Sequence, residues 1–172
     1  LALLLALVTL GIDPGTASCG FGIVAGPRSP RAIESGCIST KPDQPLGARL
    51  ATIRDELINV IKRHGITDVA IERLGYARRL TASAQVAYAT GVAHMVAADH
   101  GLPVEEYAPK QIKLAVTGTG AADKATVQMM IARLLGMQNP PTTDHAADAL
   151  ATALCHQQAI GSRNLERELG VR

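Results

Sequence analysis

The chain has 172 residues, enough for one domain with a proper core and too few for two large ones. Its 17 Lys and Arg against 15 Asp and Glu leave a formal net charge of only +2, so a basic surface must come from local clustering rather than bulk charge. Cys19, Cys37 and Cys155 are odd in number and lack CxxC spacing, which argues against a disulfide framework or a zinc site and for a reducing, cytoplasmic location.

The run Leu3 to Leu10 is too continuously apolar for a half-exposed strand and reads as a strand buried on both faces, with Gly11-Ile12-Asp13 at its tip. A membrane role is not expected of it. No basic residue precedes it, it is far shorter than the roughly 20 residues of a spanning helix, and it runs directly into Gly-Ile-Asp-Pro-Gly. Pro14-Gly15 forces a turn whose amides, with Thr16 and Ser18, could face a phosphate.

Cys19 to Val24 and Ala32 to Thr40 read as two further strands split by the turn formers Gly26-Pro27-Arg28-Ser29-Pro30, giving three strands joined by hairpins. From Leu46 the period changes. Leu46, Leu50, Ile53, Leu57 and Ile61 mark one face of an amphipathic helix that Gly65 caps. Asp68 to Leu74 is a short strand, and Thr81 to His100 a helix rich in small residues, suited to close packing on a sheet or on a partner. Val104 to Tyr107 is the fifth strand. Pro109 opens a helix over Lys110 to Val116, and Gly118-Thr119-Gly120 breaks the chain. Asp123 N-caps the next helix, which Gly136 stops. After Asn139-Pro140-Pro141, Thr142 or Thr143 caps a last helix from Asp144 to about Gln158. The division expected is one α/β domain over residues 1–158 and a charged, flexible tail over 159–172. Three antiparallel strands followed by alternating helices and strands predict a mixed five-stranded sheet with helices on both faces.

Asp13 and Glu72 then stand at strand ends, while His145 and Asp148 share one face near the start of the last helix at i and i+3. If the first and fourth strands are neighbours, these four potential ligands meet at one sheet edge. Clustered carboxylates repel and are costly to desolvate unless a cation neutralises them, and hard oxygen ligands suit Mg²⁺ or Mn²⁺. Two such ions about 3.5–4 Å apart would serve an in-line phosphodiester displacement.

The stretches LGIDPGTASCGFGIV, PLGARLATIRDEL, VAIERL, VEEYAPKQIKLAVTGTGAADKATVQMM and DHAADALATALCH resemble, in order and spacing, the RuvC family of crossover-junction endodeoxyribonucleases. That resemblance implies an RNase H-like (retroviral integrase-like) fold and resolution of Holliday junctions in recombination and repair. It implies that Asp13, Glu72 and Asp148 are catalytic carboxylates and metal ligands, with His145 at a fourth position where many members have Asp and some have His. A softer imidazole there favours Mn²⁺ over Mg²⁺. Asp144 is one residue out of step, about 100° round the helix, and is not taken as a ligand.

The resemblance also implies a homodimer on two-fold-symmetric four-way junction DNA, and a branch-migration complex, RuvA–RuvB, as a partner. Lys113 and Lys124 match basic positions that the family uses on DNA; Arg73, Arg78, Arg79 and Lys110 are further candidates for phosphate contact. Many members place a junction-stacking aromatic three residues after the glutamate. Here that position is Gly75, and Tyr76 is the candidate to take over the role. Two alternatives stand beside the resolvase reading: a catalytically inactive junction-binding protein, and a RuvC-like RNA-processing nuclease.

Overall fold

The computed structural model describes residues 7–73 and 80–170. In chain order its elements are β1 (Val8–Asp13), β2 (Ser18–Ala25), β3 (Arg31–Ser39), α1 (Leu46–His64), β4 (Asp68–Glu72), α2 (Leu80–Asp99), β5 (Val104–Tyr107), α3 (Pro109–Thr117), α4 (Lys124–Leu134) and α5 (Asp144–Leu169). The strands form one mixed sheet in the order β3-β2-β1-β4-β5, with β1–β2 and β2–β3 antiparallel and β1–β4 and β4–β5 parallel. This is the five-stranded sheet expected, with β1 and β4 adjacent.

Side chains alternate along a strand, so the central strands divide by parity between two cores. Leu10 and Ile12 of β1 and Val69 and Ile71 of β4 join Ile53 and Leu57 of α1 and Val96 of α2 on one side of the sheet. Ala70 of β4 lies on the other side, with Ile112 of α3, Ile131 of α4 and Leu150 and Leu154 of α5. Burial of each large apolar side chain contributes roughly 1.5–3 kcal/mol.

On that second side the sheet is built to let a helix backbone come close. A Cβ added at Gly11 would lie 2.0 Å from the Ala149 carbonyl oxygen, and one added at Gly20 would lie 2.1 Å from that of His145. Gly11 pairs across the ladder with Gly22, where a Cβ would lie 2.7 Å from the Leu150 amide nitrogen. The helix answers with Ala146, Ala149 and Ala153, all buried. Small residue against small residue fixes the depth at which α5 sits, and hence where its first turns deliver their polar side chains.

Several boundaries differ from expectation. β1 ends at Asp13 as expected, and the expected Leu3 start lies outside the described residues. β4 ends at Glu72 instead of Leu74. The last helix does not stop near Gln158. It continues to Leu169 through the stretch expected as a flexible tail, because no Pro or cap interrupts it before Gly170, which takes a left-handed φ of 67° and turns its amide back to the Arg167 carbonyl. Arg163, in that extension, makes a two-pronged ion pair with Glu105 of β5 at 2.8 and 3.2 Å.

Candidate active site

Ile12 and Ile71 pair in parallel register, so one residue further on Asp13 and Glu72 leave adjacent strands together at the same edge of the sheet. By parity they belong to the face of Gly11 and Ala70, the face that α5 covers. Thr143 caps α5 by accepting from the Ala146 amide at 3.1 Å, and the helix then presents His145 and Asp148 from its first two turns. One oxygen from each of Asp13, Glu72 and Asp148 lies within 4.8 Å of the other two.

Two forces oppose this cluster. Burial first, and then the negative charge of Asp13, hold the Asp148 carboxyl above its ordinary pKa, while Lys124 pulls the other way. Three half-buried oxygen donors that repel one another are a donor set for a hard divalent cation, which would relieve both the repulsion and the desolvation. The residues present therefore fit such an ion.

His145 stands beside this triad and contacts one member of it. Its Nδ1–H donates to Asp13 Oδ2 at 2.7 Å, and its side chain is 46% exposed where that of Asp13 is 18% exposed, so the imidazole sits at the rim and the carboxylate inside. Asp144 is engaged elsewhere, accepting from Lys124 Nζ at 3.1 Å and from Gln128 Nε2 at 2.7 Å. The Lys124 hydrogen bond is also the first cause of its lowered pKa.

The carboxylates form the floor of an open cleft of about 730 Å³, with Thr16, Arg49, Arg73, Lys113 and Lys124 among its walls. An acidic floor between basic walls suits a ligand that brings both a phosphate backbone and metal ions. Lys113 is fixed by a hydrogen bond from Nζ to the Ala122 carbonyl at 2.9 Å, which ties α3 to the turn before α4. Lys110 is exposed and is not among the lining residues. Tyr76, Arg78 and Arg79 lie outside the described residues.

Sequence reasoning missed Arg49 and its neighbours Thr40 and Gln85. Arg49 lies between Leu46 and Leu50 in the helical pattern of α1, and a periodicity argument passes over a cation there as solvated surface. It also missed the alternating Gly20 and Gly22, whose period of two was legible as one strand face.

A sequence profile described as "Crossover junction endodeoxyribonuclease RuvC" matches residues 9–156. A protein of that name from Pelotomaculum thermopropionicum is 43% identical over 152 residues, covering 87% of this chain and 92% of its own length. Another, from Chromohalobacter salexigens, is 44% identical over 168 residues, covering 97% and 89%. The solved structure titled "T. thermophilus RuvC in complex with Holliday junction substrate" superposes with a TM-score of 0.84 at 34% identity, over 96% of this chain and 97% of that one. The mixed five-stranded sheet with its flanking helices is accordingly an RNase H-like α/β fold.

Proposed function

The chain belongs to the crossover junction endodeoxyribonuclease family RuvC, and from that premise we propose that it resolves four-way DNA junctions by paired, symmetric hydrolysis of phosphodiesters at the Asp13–Glu72–Asp148 site. The observation that carries this reading is the convergence of three carboxylates from β1, β4 and α5 on the floor of a cleft walled by Lys113 and Lys124.

In this reading Asp13, Glu72 and Asp148 hold two divalent cations, Mg²⁺ or Mn²⁺. When bound, such ions supply positive charge to the oxygens that become negative as phosphodiester hydrolysis proceeds. The chain's own residues then do three things. His145 holds the Asp13 carboxylate in one orientation through its Nδ1–H and, from the rim, is placed to carry a proton or to ligate. Lys113 and Lys124 hold the backbone phosphate over the carboxylates, Lys124 exchanging its partner Asp144 for the phosphate. The glycine-lined approach of α5 to β1 and β2 keeps Asp148 and Asp13 at fixed separation.

A four-way junction has two-fold symmetry, so a homodimer would present two such sites to strands of like polarity and leave ligatable ends. Tyr76 is the candidate to stack at the junction centre and Arg78 and Arg79 are candidates for phosphate contact, and the RuvA–RuvB complex is the partner that family membership suggests. Among the described residues no helix is long and apolar enough to cross a membrane. Work on DNA in the cytoplasm is the location that family membership suggests.

The test is a mobile synthetic four-way junction incubated with the protein and Mg²⁺ or Mn²⁺. The expected result is paired nicks at symmetric positions, lost in Asp13→Asn with junction binding retained. Junction bound and uncut in either ion, with Asp13→Asn indistinguishable from the parent protein, would instead identify an inactive junction binder.

A further inference from the structure

Arg49 lines the cleft from α1, whereas Lys113 and Lys124 line it from α3 and α4. Arg49 is half-buried, and its Nε donates to Thr40 Oγ1 at 2.9 Å and its Nη2 to Thr16 Oγ1 at 3.2 Å. Both hydroxyls have already spent their one hydrogen elsewhere. Thr40 donates to the Thr16 carbonyl at 2.5 Å, and Thr16 donates to Gln85 Oε1. Each therefore turns a lone pair to the guanidinium and can serve it only as an acceptor.

The partners of Arg49 are neutral, unlike those of the three arginines that make ion pairs. Arg54 faces Asp55, Arg63 faces Glu34 and Arg163 faces Glu105, each at 2.8 Å. Among the described residues no carboxylate lies within ion-pairing distance of Arg49, although it shares a cleft with three of them. Two of the five N–H donors of a guanidinium are spent on threonines, and the rest remain for a ligand. A cation built into this cleft, held in place by neutral acceptors and left with free donors, is arranged for a monoanion with two oxygens in one plane.

Resting on the nuclease reading above, we infer that Arg49, steadied by Thr16 and Thr40, is a second phosphate-binding residue that holds a phosphodiester of the cut strand next to the one being hydrolysed. Arg49 touches Thr16, three residues after Asp13, a chain reach of at most about 11 Å. That reach confines the phosphate to within a few nucleotides of the cut. The same network ties the loop after Asp13 to α1, to the end of β3 and, through Gln85, to α2, so phosphate binding at Arg49 also steadies the loop that follows Asp13.

A phosphate scan tests this. Junctions are made with a single neutral methylphosphonate linkage at each of about three positions on either side of the cut, and single-turnover cleavage is measured for the parent protein and for Arg49→Ala. Arg49→Ala should cut the unmodified junction about tenfold or more slowly, the effect expected of one charge-assisted hydrogen bond. At one linkage the parent should slow by a similar factor and Arg49→Ala should slow no further. Arg49→Lys, which keeps the charge and loses the fork, should show the same coupled position with a smaller effect, and it stands in if the alanine variant does not fold. Equal slowing of parent and variant at every linkage would overturn the inference and leave Arg49 a supporting role in the loop. A parent protein that fails to cut the unmodified junction in Mg²⁺ or Mn²⁺ would overturn the nuclease reading itself, and that is seen before any linkage is compared.

Discussion

α5 and β4 meet at two polar clusters made of the same kinds of residue, and the two behave in opposite ways. At one end Asp148 and His145 of α5 meet Glu72 of β4 and Asp13 of β1. Eight residues along the helix from Asp148, about 12 Å at 1.5 Å per residue, His156 is 4% exposed and faces Asp68, which starts β4 on the same strand face as Glu72. There the His156 Nδ1 shares a 2.9 Å hydrogen bond with the Tyr107 hydroxyl, and Glu105 is clamped by Arg163. Glu105 is held below its ordinary pKa, chiefly by the Arg163 hydrogen bond, whereas Asp148 is held above its own by burial and by Asp13. At the second end an imidazole and an arginine stand between the carboxylates, with His156 Nε2 3.5 Å from Asp68 and without a hydrogen bond of its own. At the first end the Asp13, Glu72 and Asp148 carboxylates face one another within 4.8 Å, a donor set that a divalent cation would suit.

The sharpest way to break this comparison is to remove a charge at each end. Asp13→Asn or Asp148→Asn should lower junction cleavage by about a thousandfold or more, since several kcal/mol of transition-state stabilisation depend on the ligand set. Junction affinity in a gel-shift assay should stay close to that of the parent, because phosphate contacts do not need the metal ligands. Asp68→Asn at the other end should leave the cleavage rate unchanged within a factor of about three, and a loss as large as that of Asp148→Asn would erase the distinction.

Next in size is the packing that sets both ends. Gly20→Ala places a methyl group 2.1 Å from the His145 carbonyl, which only a shift of the α5 backbone can relieve. A loss of about 1–3 kcal/mol in denaturant unfolding is expected, with slower cleavage even where the variant is fully folded. Unchanged stability would mean that α5 is not seated by the glycine face.

A smaller effect is expected in the pH dependence of stability. Burial lowers the His156 pKa below its ordinary 6.5, against the raising influence of Asp68 and Glu105 and in the same sense as Arg163. Below pH 6.5 the unfolded chain takes up a proton that the folded chain resists. The stability tied to this group is thus complete above that pH and declines as pH falls through the window beneath it. His156→Gln should flatten the slope of unfolding free energy between about pH 7 and 5. An unaltered slope would place the acid sensitivity elsewhere. Arg163→Ala should do least, at most about 1 kcal/mol, because its partner Glu105 is 41% exposed and the pair is screened.

How far the amino-acid sequence reaches can be judged on the same two clusters. Asp13, Glu72 and Asp148 were legible because each closes or opens an element that the patterning marks: an apolar run cut by Pro14-Gly15, a short strand, a helix after Pro140-Pro141. The second cluster escaped notice because nothing local marks it. Asp68 looks like a residue before a strand and His156 like one more position on an alanine-rich helix, and only the pairing of β4 with β5 and the depth of α5 bring His156 between Asp68 and Tyr107. The C-terminal stretch of α5 has the pattern of a tail because its residues lack an apolar stripe; the ion pair across to Glu105 is a tertiary contact that periodicity does not reveal. The placement of His145 on Asp13, outside the set of mutually close oxygens, likewise depends on side-chain geometry rather than on spacing.

On this comparison α5 and β4 carry one end whose donor set suits a divalent cation and one end that needs none. Electron paramagnetic resonance of Mn²⁺ titrated into the protein tests it most directly, with Asp148→Asn and Asp68→Asn measured beside the parent chain. Loss of bound Mn²⁺ in Asp148→Asn, with Asp68→Asn binding as the parent does, is the predicted result. Mn²⁺ binding that survives Asp148→Asn, or that falls equally in Asp68→Asn, would contradict it.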